Sequence, residues 1–107
     1  MRCPGCEDGD VHAAALRFDL HIPQSRSLKV KRAAIRPIID GLRHRHVSVA
    51  EVDFQNQWQR CALGVAVVGE SESFVREQLD AIERFVYAAP DIEVLDVERA
   101  WLESERA

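Results

Sequence analysis

Between residues 12 and 22 apolar and polar positions alternate. Ala14, Leu16, Phe18, Leu20 and Ile22 fall on one side, and Arg17, Asp19 and His21 on the other. A period of two over that length predicts a strand with one buried face. Pro23 to Ser27 breaks the run, and Ser27 offers a side-chain oxygen to the free N–H groups of a following helix. From Leu28 the period lengthens. Leu28, Ile35, Ile38, Ile39 and Leu42 gather on one side of a helical wheel, which predicts an amphipathic helix to about His44. Pro37 points away from that stripe, removes one backbone hydrogen bond and is expected to bend the helix without ending it.

Residues 46–57 and 59–69 are rich in valine and alternate in stretches, which predicts two strands joined by a turn near Gln55 to Trp58. No Asn-Gly or Asp-Gly pair specifies that turn. Ser71 caps a second helix, with Glu72 and Glu77 favourable near its positive end and Val75, Leu79, Ile82 and Val86 as its apolar stripe, helped by Phe74 and Phe85. Pro90 stops the chain before a last strand from Ile92 to about Trp101. The order β-α-β-β-α-β with right-handed crossovers predicts an α+β, ferredoxin-like split arrangement: a four-stranded antiparallel sheet with two helices on one face. The other face is then open. Apolar side chains there, around Val65 and Trp58, are expected to be covered by a second copy, giving a homodimer.

Composition narrows the class without naming a function. The 107 residues suit one domain, and 47% hydrophobic with 30% charged is globular, not disordered. No apolar run approaches the roughly 18 residues that a membrane span needs. The opening Met1-Arg2-Cys3-Pro4-Gly5-Cys6 is too polar for a signal peptide, so a cytoplasmic location without a membrane partner is expected. Three cysteines do not make a disulfide framework. The net charge of −4 hides an asymmetry: residues 17–60 carry a surplus of five cations, and residues 61–107 a surplus of seven anions. A nucleic-acid binder needs a basic patch, not a basic total.

That patch has a candidate. Lys29, Arg32, Arg36 and Arg43 fall within a narrow arc of the first helix, with Arg26 before them and Arg45 after. Such a row suits phosphate backbones, whose neutralisation releases counterions; the competing reading is a solvated helix face. Lys31 is counted with this nucleic-acid-binding set, although it projects into the apolar arc, where its stem is expected to lie on the core with its head in water. No aromatic is interleaved with the stripe, which argues against stacking of single-stranded bases. A second group, Glu51, Asp53, Gln55, Trp58, Gln59 and Arg60, surrounds the hairpin. Glu51 and Asp53 at alternate strand positions share a face in regular geometry, with Arg60 opposite as a cross-strand ion-pair partner. This group is expected to serve structure or partner binding, ahead of a ligand-binding or hydrolytic role. Cys3 and Cys6 have the spacing of half a zinc site, but no second pair completes it. The four histidines show no ligand spacing, and no phosphate loop or nucleophile motif is present. No catalytic residue, metal or cofactor is therefore expected.

The segments Ser27-Leu28-Lys29-Val30-Lys31-Arg32, Val47-Ser48-Val49-Ala50-Glu51-Val52-Asp53 and Trp58-Gln59-Arg60-Cys61-Ala62-Leu63-Gly64-Val65-Ala66-Val67-Val68 resemble the YlxP-like family of bacterial proteins. The similarity runs over about residues 12–102. It implies a ferredoxin-like fold and a genomic setting beside genes for translation initiation and ribosome-binding factors, with no activity attached. Where the family often has His-Gln-Asp, this chain has Phe54-Gln55-Asn56, and both ionisable groups are gone. Residues 1–10 lie outside the resemblance, so they are expected to be an extension, either a disordered tail or the product of a start assigned upstream of Val11; residues 11–107 form the domain. With the basic stripe, the resemblance leads to an expected partner: RNA or a ribosomal particle, met by a non-enzymatic accessory factor.

Overall fold

The computed structural model describes residues 11–102, so expectations about residues 1–10, Cys3 and Cys6 included, lie outside it. The alternation at the start of the chain becomes β1 (His12–His21), whose Ala14, Leu16, Phe18 and Leu20 are buried. Then follow α1 (Leu28–Arg43), β2 (Ser48–Asp53), β3 (Arg60–Gly69), α2 (Glu72–Tyr87) and β4 (Glu93–Trp101). The sheet order is β2-β3-β1-β4, with every neighbouring pair antiparallel. This is the α+β, ferredoxin-like arrangement expected from the periodicity.

Both helices begin where a serine can cap them. Ser27 Oγ accepts from Val30 N–H and Ser71 Oγ from Phe74 N–H, each at 3.1 Å. Pro37 stands inside α1, which continues to Arg43. Ile35, Ile38 and Leu42 of α1 and Val75, Leu79, Ile82 and Val86 of α2 join one core with Leu16, Phe18, Leu63, Val65 and Val67 of the sheet. Burying one such side chain contributes about 1.5–3 kcal/mol. The helices meet closely at Gly41, where a Cβ would overlap the ring of Phe85.

Val65 is 1% exposed and belongs to this core, which corrects the expectation that it marks the open sheet face. By strand alternation the open face instead carries Ala13, Ala15, Ala62, Gly64, Ala66 and the exposed Val68, with exposed Val52 beside Gly64, followed by the charged positions Arg17, Asp19 and His21. Because β1 and β2 run the same way, the loops β1–α1, β2–β3 and α2–β4 lie at one end of the sheet.

Candidate nucleic-acid interface

The first helix sorts its residues as its period requires. With the apolar stripe turned to the core, Lys29, Arg32, Arg36 and Arg43 are exposed in a row, extended by exposed Arg26 and Arg45. Among the described residues none of these six makes an ion pair; Arg45 lies over the Phe85 ring, 5.2 Å from its centroid. Arg32, Arg36 and Arg43 line a groove of about 250 Å³ between α1 and the edge strand β2, together with Ile35, Ile39 and the carboxylates of Asp40 and Glu51.

Two cations of the second half are used differently. Arg76 pairs with Glu72 at 2.6 Å, and Arg99 reaches from β4 to Asp80 at 2.7 Å and to Glu83 on α2. The hydrogen bond from Arg99 holds the Asp80 carboxyl below its ordinary range.

Lys31 does not belong to the exposed row. It is 1% exposed, and its ammonium donates to the carbonyls of Phe54 at 2.8 Å and Arg60 at 3.1 Å. Glu51 Oε2 stands 2.9 Å away as an ion contact outside hydrogen-bond geometry. Its head is thus inside the protein and not in water, because the β2–β3 loop supplies the acceptors that a buried ammonium requires. A second expectation fails for a related reason. A bulge between Glu51 and Asp53 sends the two carboxylates to opposite faces. Glu51 turns under α1 to Lys31, while Asp53 meets Arg17 on the open face at 3.4 Å. Arg60 pairs with neither; its guanidinium lies 4.5 Å from the centroid of Phe54. A shared acid pair at this hairpin is therefore not assembled.

The remaining residues of the hairpin group sort into tethers and one exposed ring. Gln59 Nε2 donates to the carbonyls of Pro23 and Ser25, both at 3.2 Å, and Gln55 Nε2 to the carbonyl of Glu51 at 3.3 Å. Trp58 is 55% exposed in the loop, not on the sheet face. Phe54, which sequence reasoning treated only as a departure, is the hub: it has a positive φ of 63°, accepts from Lys31 and receives Arg60. Cys61 is buried beside this centre, and burial together with Glu51 pushes its thiol up to about 12, so it stays neutral and unreactive. Among the described residues no group of three metal-ligating side chains comes together, and no helix is long and apolar enough to cross a membrane.

Residues 13–99 match the family model described as a protein of unknown function, DUF503. The chain belongs to this family. It is also 32% identical, over 76 residues, to the uncharacterized protein YlxP of Bacillus subtilis (strain 168), a match covering 70% of this chain and 83% of that protein. In this DUF503 protein the three segments that carry the YlxP-like resemblance are the cap and first turn of α1, strand β2, and the end of the hairpin loop with strand β3. They meet at Lys31, which is on the first segment, stands in ion contact with Glu51 of the second and donates to the Arg60 carbonyl of the third.

Proposed function

We propose that this protein is a non-enzymatic accessory factor of translation or ribosome maturation that contacts RNA, alone or within a ribonucleoprotein, through the basic face of α1. The observation that carries this reading is the exposed row Lys29, Arg32, Arg36 and Arg43, left without ion pairs among the described residues although Asp40 and Glu51 line the groove beside it. Side chains at this spacing suit contact with a phosphate backbone along roughly four turns of helix. The genomic setting implied by the YlxP-like resemblance supports the same partner.

The test is co-sedimentation with ribosomal particles from a bacterial lysate. Combined reversal at Lys29→Glu, Arg32→Glu and Arg36→Glu is expected to abolish it, and raised salt to weaken it in the native protein. Co-sedimentation that ignores both the reversal and the salt contradicts the reading.

A further inference from the structure

The row of cations on α1 has no aromatic side chain within it, but the fold brings one to its end. Trp58 stands 55% exposed in the β2–β3 loop. The loop beneath it is clamped. Lys31 Nζ donates to the carbonyls of Phe54 at 2.8 Å and Arg60 at 3.1 Å on either side of it. Gln59, the next residue, donates through Nε2 to the carbonyls of Pro23 and Ser25, and its own carbonyl accepts from Ile22 N–H at 2.9 Å. These bonds join the Trp58 loop to the β1–α1 loop, and Arg26 and Lys29 follow Ser25 directly into the basic row.

The other aromatic rings near cations are already covered. Arg60 lies over Phe54, Arg45 over Phe85 and Arg76 over Trp101. Trp58 has no cation over its ring among the described residues and contributes nothing to the core cluster. A large aromatic held in water on a tethered backbone, beside unpaired cations, combines the two parts of a single-strand site: a platform for a base and charges for the phosphates beside it. Bases inside a duplex are stacked on each other and cannot reach such a platform.

We infer that Trp58, with Arg26 and Lys29, forms a stacking site for an unpaired base of single-stranded nucleic acid. This inference rests on the RNA reading of α1 and narrows it from any phosphate backbone to one with unpaired nucleotides.

Titration of the full chain with a short oligouridylate and with a short RNA duplex tests it, read by anisotropy of the labelled nucleic acid. Trp58→Ala is expected to weaken the single strand about tenfold, the loss of one base–aromatic stack, and to leave the duplex unchanged. Trp58→Phe retains part of the affinity. Indole fluorescence is quenched by the oligouridylate in the native protein and in Trp101→Phe, but not in Trp58→Ala. An unchanged melting midpoint shows that these variants fold. Single-strand affinity indifferent to Trp58→Ala overturns the stacking site while salt-sensitive binding of both nucleic acids keeps the reading of α1. Binding of neither nucleic acid overturns both.

Discussion

Helices α1 and α2 share a frame: each has 16 residues, a serine N-cap, and four buried positions at the same spacing behind that cap. In α1 those positions are Lys31, Ile35, Ile38 and Leu42; in α2 they are Val75, Leu79, Ile82 and Val86. Their charges differ. The first turn of α2 contains Glu72, complementing the positive end of the helix dipole and pairing with Arg76. The first turn of α1 contains no acid, and its opening residues include Lys29, Lys31 and Arg32. One helix follows the rules of helix stability. In its charged side chains the other departs from them in two places, and the two breaches have different consequences.

The first breach is Lys31, a lysine where α2 has Val75. Its cost is offset by acceptors from the β2–β3 loop and by Glu51, so it organises the hairpin that presents Trp58. Lys31→Ala leaves those carbonyls and Glu51 without their cation, and is expected to destabilise the fold by about 3 kcal/mol in denaturant unfolding. A loss below about 1 kcal/mol would mean that the ammonium contributes little beyond its stem.

The second breach is the exposed charge at the start of α1, where Lys29 and Arg32 make no ion pair among the described residues. Lys29→Glu gives α1 an acid in its first turn, as α2 has, and is expected to raise stability by about 0.5 kcal/mol while weakening RNA binding. Opposite signs in a thermal melt and a binding isotherm sharpen the contrast between the helices. A fall in both would place Lys29 in the fold and remove it from the interface.

What was legible in the sequence follows from the range of each interaction. Both caps, both helical stripes and the alternation of β1 are local patterns, and the structure reproduces them at Ser27, Ser71 and Leu16 to Ile22. The exposed row on α1 was equally legible, since helical spacing alone places it. Lys31 was half legible: its position in the apolar arc marked it as buried, but its acceptors lie 23 and 29 residues away. The bulge that separates Glu51 from Asp53 has no glycine to announce it, so regular alternation misplaced the pair. The nearness of Trp58 to the basic row depends on Gln59 reaching Ser25 across the sheet end, a contact over 34 residues that no local pattern encodes.

The central claim is that the charge on α1 is held for phosphates. The most direct measurement is the affinity of the full chain for a short single-stranded RNA as salt is raised from about 50 to 200 mM. If Lys29, Arg32, Arg36 and Arg43 each neutralise one phosphate, the logarithmic slope is about −3, a roughly fiftyfold loss over that range. The slope flattens when Lys29, Arg32 and Arg36 are reversed to glutamate. A flat dependence in the native protein, or one that the reversal leaves unchanged, contradicts the claim.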